Sequence, residues 1–462
     1  MEKGFRAPIV CVLGHVDHGK TTLLDVIRKT NVALREVGGI TQGIGASVVS
    51  TNKDKKITFI DTPGHATFSK MRSRGANVAD IAVLVVDASD GVKPQTVEAL
   101  KIIKQEQLPF IVAMTKIDLP AVNIEGTKGQ LEKEGVTFEG RGGSTPLVLV
   151  SAKEGKGINE LLETITLTAE IHDIKGDPLA PLESVVIESS KENRGVVGTV
   201  IVRNGTLKVG DVIKTENAKG KVRALFNGLG KSVKEVFPGE PAKVLGFEEI
   251  PSVGGKVFSG TLEGDNLFVR EKIQEIKEGD IPILIKAKDA GALEALEGSL
   301  PNGIKAILKG VGDVNESDIL SAKSADARVF AYGVSLSGSV SKLAETEGVT
   351  IEKFVIIYEL IERLEEILKK GEVEILGKAE ILASFPFNQK KIAGCKVITG
   401  KIALKDNLLI VRGDKELGKV RAVSIKKQKE EISQVKQGEE FGLLFEPQLD
   451  FLKGDVLLSI GK

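Results

Sequence analysis

Along residues 8–170, short runs of apolar, often β-branched residues alternate with longer stretches in which apolar positions recur every three or four residues. The apolar runs 9–13, 47–50, 57–61, 81–87, 110–114 and 147–150 predict strands, and 20–29, 94–105 and 158–172 predict helices among the segments between them. This alternation predicts a mostly parallel sheet with helices on both faces. Segment 173–181, with Gly176, Pro178 and Pro181, predicts a linker. From about 182 the pattern shifts to short strands between glycine turns such as Asn204-Gly205 and Gly210-Asp211, an all-β signature. Near 281 it shifts again, predicting a strand at 281–287, a helix at 290–300 and a strand at 304–308 within a compact α/β unit that runs to about 355.

In 356–370 the apolar residues Ile357, Leu360, Ile361, Leu364, Ile367 and Leu368 fall on one helix face, opposite Glu362, Arg363, Glu365 and Glu366. That helix predicts a rigid connector. The last segment returns to the all-β pattern and repeats the first one: Gly220-Lys221-Val222-Arg223-Ala224 recurs as Gly418-Lys419-Val420-Arg421-Ala422. Asn204-Gly205-Thr206-Leu207 and Thr399-Gly400-Lys401-Ile402 precede those copies, and Pro238-Gly239-Glu240 and Gln437-Gly438-Glu439 follow them. Three landmarks in one order predict two related β-barrels. The expected domains are 1–175, 176–270, 271–355, a connecting helix at 356–371, and 372–462.

Composition narrows the chemistry. The 462 residues hold 64 basic and 64 acidic side chains, so any RNA contact must come from local patches. Aromatic residues are 4% and Trp is absent, which argues against base stacking as the main recognition device. Two distant cysteines, Cys11 and Cys395, make neither a disulfide framework nor a zinc site. No apolar run reaches the length of a membrane helix, and residues 1–8 show no leader pattern, so a cytoplasmic protein without membrane partners is expected.

The sharpest motif is Gly14-His15-Val16-Asp17-His18-Gly19-Lys20-Thr21, which fits a phosphate-binding loop between a strand and a helix. Asp17, His18, Gly19, Lys20, Thr21 and Thr22 would surround the phosphates, with backbone N–H groups at a helix N-terminus and the Lys20 charge on the β/γ oxygens. Mg²⁺ would be held by Thr21, by Thr41 in Gly38-Gly39-Ile40-Thr41-Gln42, and through water by Asp61. In Asp61-Thr62-Pro63-Gly64-His65, the Gly64 N–H can touch a γ-phosphate and sense its loss. Asp118, in Thr115-Lys116-Ile117-Asp118, can accept from the N1–H and 2-amino group of guanine, which adenine cannot match, so the base is guanine. The Lys116 stem can lie along the base, and Ser151-Ala152-Lys153 would close the pocket. Five elements in this order predict a P-loop GTPase taking GTP and GDP. The fold class is multidomain α/β plus β: P-loop GTPase domain, β-barrel, small α/β sandwich domain, connecting long helix, second β-barrel.

The forms Gly-His-Val-Asp-His-Gly-Lys and Asp-Thr-Pro-Gly-His resemble translational GTPases. Gly38–Gln42 with Met71-Arg72-Ser73-Arg74-Gly75-Ala76 looks like the bacterial type of translation initiation factor two. Gly312-Asp313-Val314-Asn315-Glu316-Ser317-Asp318 resembles that family's third domain, and Lys391-Ile392-Ala393-Gly394-Cys395-Lys396-Val397 its C-terminal barrel. The resemblance implies a catalytic role for His65, orienting the attacking water on the ribosome. It implies that Asp17 handles a monovalent cation or positions that water, and that His18 serves only through its backbone N–H. It further implies a monomer that works with both ribosomal subunits and with initiator tRNA. The formylmethionyl end of that tRNA would be cradled near Cys395, Lys426, Lys427, Gln428, Glu440, Phe441 and Gly442.

Thr115 stands where the family usually has Asn, which predicts the loss of one contact to the base and of one brace to the phosphate loop. Two other functions fit parts of the pattern: a specialised elongation factor delivering a dedicated aminoacyl-tRNA, and a tRNA- or ribosome-binding protein with a vestigial GTPase. The α/β third region argues against the first, and Lys20, Thr21, Thr41 and His65 together argue against the second.

Overall fold

The structure, a computed structural model, describes residues 4–30, 41, 43–51, 55–228, 230–260, 280–371, 375–387, 390–404, 406–413, 415–427 and 430–460. The chain packs as two compact units, Met1–Leu364 and Glu365–Lys462.

The first unit begins with a six-stranded sheet in the order Gly45–Ser50, Lys56–Asp61, Ile9–Gly14, Ile81–Asp87, Phe110–Thr115, Leu147–Leu149. All neighbours are parallel except Gly45–Ser50 with Lys56–Asp61. Ile9–Gly14 and Ile81–Asp87 are buried at every position, because helices cover both faces. Cys11, Leu84, Met114 and Ile103 pack on one side, and Val10, Val83, Leu23 and Leu161 on the other. Because the strands run in parallel, Gly14, Asp61, Asp87, Thr115 and the turn after Leu149 all reach the same edge of the sheet, where ligands of such folds bind.

The predicted 47–50 strand begins earlier, at Gly45, since Gly45 and Ala46 continue the ladder opposite Asp61 and Ile60. The predicted linker is more ordered than expected: Lys175–Gly176 pairs with Gly4–Phe5.

Next comes a closed six-stranded barrel in the cyclic order Val212–Lys214, Lys256–Ser259, Glu183–Glu192, Gly195–Asn204, Pro241–Phe247, Lys219–Phe226. A four-stranded parallel sheet follows, ordered Ile304–Val311, Ile281–Ala287, Arg328–Tyr332, Ile351–Phe354. Helices Ala290–Gly298, Glu316–Ser324 and Gly338–Glu347 connect its strands. Asn315 and Asp318 cap the middle helix reciprocally.

Helix Ile357–Gly371 buries Ile357, Leu360, Leu364 and Ile367 while Glu362, Glu365 and Glu366 stay exposed, as its spacing predicts. The border between the two compact units falls within it. The second unit is a barrel in the order Ile375–Phe387, Val456–Ile460, Asn407–Arg412, Lys415–Lys427, Glu440–Glu446, Lys390–Ala403, closed by pairing of the last strand with the first. Its cyclic order is that of the first barrel.

Candidate active site

The loop after Ile9–Gly14 is shaped by positive φ angles. Gly14 has φ 147°, and a Cβ there would lie 2.3 Å from the Val85 carbonyl oxygen, so only glycine lets the chain turn this close to the neighbouring strand. Gly19, at φ 86°, caps helix Lys20–Arg28 without any side-chain bond, which leaves the helix's first N–H groups facing the loop. Gln95 holds the Val16 N–H at 2.8 Å.

Lys20 is buried and its ammonium donates to the His15 carbonyl. Burial lowers its pKa to about 8, with Asp61 pulling the other way. A lysine in that condition gains from the arrival of an anion. Thr22 sits exposed one residue beyond Thr21. The Thr21 and Thr41 hydroxyls, twenty residues apart in sequence, meet at 2.8 Å. Asp61 is buried at its strand end, 3.7 Å from the Arg28 guanidinium. Of the segment that carries Thr41, Gly38, Gly39, Ile40 and Gln42 lie outside the described residues.

His18 departs from expectation. Its side chain is buried, and Nδ1 accepts the Asp87 backbone N–H at 3.2 Å. Burial drives its pKa down to about 4, with nearby His15 adding to the shift, so the ring is neutral. It therefore ties the phosphate loop to the end of Ile81–Asp87 through its side chain as well as its backbone.

On the base side, Lys116 has φ 57° and its ammonium reaches Asp87 at 2.8 Å. Asp118 accepts from the Ser151 hydroxyl at 2.7 Å, and this bond holds its carboxyl below the usual range. Ser151 is buried, whereas Lys153, in the turn that follows Ala152, is exposed. The expected loss of a brace at Thr115 does not occur: its hydroxyl donates to the His18 carbonyl at 2.7 Å. A hydroxyl on the strand end is close enough to bond the phosphate loop without the longer amide.

The third wall comes from residues 61–72. A Cβ on Gly64 would stand 2.5 Å from the Lys20 Nζ and 3.2 Å from the Val16 nitrogen, so the Gly64 backbone lies directly on the phosphate loop. His65 follows, half-buried, with Nδ1 accepting the Thr67 N–H at 3.3 Å and lying 3.0 Å from the Thr67 hydroxyl. Burial lowers its pKa, and Arg72 and His15 add to that. Arg72, fully buried in helix Ser69–Val78, donates to the Pro63 carbonyl at 3.0 Å and to the His65 carbonyl, and pairs with Glu98 at 2.6 Å. Sequence reasoning attached no role to Arg72, Gln95 or Asp87, because each acts through a partner distant in sequence.

The set expected to meet tRNA lies in the second unit. Cys395 and Phe441 face each other across neighbouring strands and are buried in the barrel core. Burial pushes the Cys395 thiol pKa far up, as for a small apolar side chain. Gly442 pairs with both Gly394 and Lys426. Lys426 and Glu440 are exposed, Lys427 bonds Glu439 at 2.7 Å, and Gln428 lies outside the described residues.

Comparison with known proteins identifies relatives along the chain. The family described as elongation factor Tu GTP binding domain matches residues 6–170, elongation factor G domain 2 matches 181–260, and translation-initiation factor 2 matches 263–365. A translation initiation factor IF-2 of Caldanaerobacter subterraneus is 42% identical over 98% of this chain and 69% of its own length. One from Thermoanaerobacter is 41% identical over 98% and 70%. Among solved structures, GDP-bound aIF5B from Aeropyrum pernix is 28% identical, covers 99% of this chain and 92% of its own, and has a TM-score of 0.48. No described helix is long and apolar enough to cross a membrane.

Proposed function

The chain belongs to the translation initiation factor IF-2 family, and on that footing we propose that it brings initiator tRNA to the small ribosomal subunit and promotes subunit joining. It is a translation-initiation GTPase that binds GTP and GDP. The domain division we propose is 1–175 for the nucleotide, 176–270 and 271–355 for two body domains, 356–371 for a connecting helix, and 372–462 for initiator tRNA. A cytoplasmic monomer acting on both subunits fits this role.

The observation that most supports the hydrolytic reading is the approach of Gly64, the residue before His65, to the Lys20 ammonium and the phosphate loop. In this reading Lys20 and the first-turn N–H groups bind the phosphates. Asp118 and Ser151 select guanine, with Thr115, Lys116, Ala152 and Lys153 around it. His65 orients the attacking water, and Asp17 holds a monovalent cation or that same water. The converging Thr21 and Thr41 hydroxyls fit Mg²⁺, with Asp61 as its water-mediated ligand; when bound, the ion would neutralise charge on the β- and γ-phosphate oxygens. The Gly64 N–H reports the γ-phosphate to the segment that follows.

For tRNA, the exposed Lys426 and Glu440 with neighbouring Lys427 would meet the acceptor end, while Cys395, Phe441 and Gly442 would shape the barrel beneath them. His65→Ala should reduce ribosome-stimulated GTP turnover by about 10²–10⁴-fold while leaving the GTP dissociation constant within about twofold. Undiminished turnover would remove His65 from the chemistry. Binding of formylated, unformylated and elongator aminoacyl-tRNA should rank in that order; equal affinities would remove the initiator role.

A further inference from the structure

His65 is held through its backbone and through its ring. Its carbonyl is bonded by Arg72, and its Nδ1 accepts the Thr67 N–H. Its face meets Tyr358, with ring centroids 4.3 Å apart and planes inclined by 60°. Tyr358 belongs to neither the nucleotide sheet nor the segment that carries His65. It is the second residue of helix Ile357–Gly371, which begins three residues after the edge strand Ile351–Phe354 of the four-stranded sheet. Burial disfavours the Tyr358 phenolate, and the nearby Asp17 carboxylate adds to that. The first turn of the helix thus lies against His65 and near Asp17 of the phosphate loop.

The Thr67 N–H points at Nδ1, which leaves Nε2 as the nitrogen that can meet a water. The ring is neutral because it is partly withdrawn from water and faces the Arg72 charge. Arg72, Thr67 and Tyr358 therefore meet its backbone, its Nδ1 and its face, and only Tyr358 comes from another domain.

We propose that Tyr358 is a positioning residue for GTP hydrolysis: it parks the His65 ring against the connecting helix, and hydrolysis requires the first turn of that helix to leave the ring. The restraint makes the catalytic histidine answer to the third domain. A body movement that shifts the four-stranded sheet against the nucleotide domain would peel Tyr358 from His65. The inference rests on the catalytic reading of His65 given above.

Two measurements on the full chain separate the proposal from that reading. One is the rate of carbethoxylation of His65 by diethyl pyrocarbonate, followed on its peptide by mass spectrometry; it reports freedom of the ring whatever its role. The other is GTP turnover without ribosomes. Tyr358→Ala should speed both by about 3–10-fold, the bias an aromatic contact of ordinary strength supplies. Tyr358→Phe, which keeps the ring, should change neither. The double variant Tyr358→Ala/His65→Ala should lose the gain in turnover.

Unchanged modification of His65 in folded Tyr358→Ala would show that the contact does not hold the ring, and overturns the proposal. Faster modification with unchanged turnover would show a held ring that does not gate hydrolysis, and overturns it as well. If His65→Ala alone keeps its full ribosome-stimulated rate, the catalytic reading fails first and the gate with it. A normal loss in His65→Ala beside an inert Tyr358→Ala sinks the gate only.

Discussion

The two barrels share one design and differ in what their turns touch. In both, a left-handed glycine closes the turn before the fifth strand: Gly239 at φ 87° and Gly438 at φ 86°. In both, the next residue's carboxylate bonds back to the chain, Glu240 to the Phe237 N–H at 3.3 Å and Glu439 to the Lys436 N–H at 2.8 Å. Asp211 and Asp406 likewise accept from the N–H of Lys208 and Ala403.

The first barrel then turns this shared piece toward the nucleotide domain. The Gly239 carbonyl accepts the Thr58 hydroxyl, Glu240 also takes Lys56 at 2.7 Å, and a Cβ on Gly239 would lie 2.3 Å from the Ala7 carbonyl oxygen. In the second barrel Glu439 bonds Lys427 of its own fold, and a Cβ on Gly438 meets no atom of the described residues within 4 Å. A duplicated fold keeps the bonds that make its turn and leaves the outward-facing atoms free to acquire partners.

Substituting both glycines breaks this comparison most strongly. Gly438→Ala should cost about 1–2 kcal/mol, the cost of a left-handed alanine. Gly239→Ala should cost about 3 kcal/mol or more, since the backbone of Ala7 must also move. Calorimetric unfolding of the two variants measures the gap, and equal losses would mean that the first turn is not a docking element.

The next largest contrast is in pH. Glu188, on the first barrel's opening strand, is raised to about 8 by burial and by Asp289 beside it. A raised carboxyl contributes stability in full below its ordinary value of 4.5 and loses it as the pH climbs through about 8. Asp455 of the second barrel is the reverse: bonds from Arg412 at 2.8 and 2.9 Å lower it, so its contribution is present above its ordinary value of 3.8 and is lost as acid passes its lowered one. Raising the pH from about 4.5 to about 8 should therefore loosen the first barrel and spare the second, whereas acid below 3.8 should loosen the second and spare the first. Glu188→Gln and Asp455→Asn should each flatten its own limb of the unfolding profile.

Smaller effects sharpen the likeness. Asp211→Ala should cost about 1 kcal/mol, and Asp406→Ala somewhat more because Asp406 also takes the Ser459 hydroxyl. Hydrogen exchange at Lys208 and Ala403 reads each turn directly. Last, Lys56→Ala should change stability by less than about 0.5 kcal/mol, since that ammonium is largely exposed.

Much of this was legible in one dimension. Alternating apolar runs placed the sheet, the spacing of Ile357, Leu360 and Leu364 placed the helix, and the repeated Gly-Lys-Val-Arg-Ala placed two like barrels. The phosphate loop and the guanine motif were legible for a different reason: each lies within a few contiguous residues, so its chemistry survives without knowledge of the fold. Where reading fell short, the cause was contact at a distance. Thr115 was expected to leave the phosphate loop unbraced, yet its hydroxyl reaches His18. His18 was given only its backbone, yet its ring accepts from Asp87.

The sequence by itself determined which local elements form, because periodicity, glycine conformation and strand-end motifs are properties of neighbouring residues. Only the tertiary structure decided the company those elements keep. It set Thr21 beside Thr41, buried Arg72 beneath His65, and laid Tyr358 of the connecting helix on the His65 ring. Those pairings depend on how separately folded pieces pack, and packing is a matter of shape across the whole core that no stretch of sequence contains.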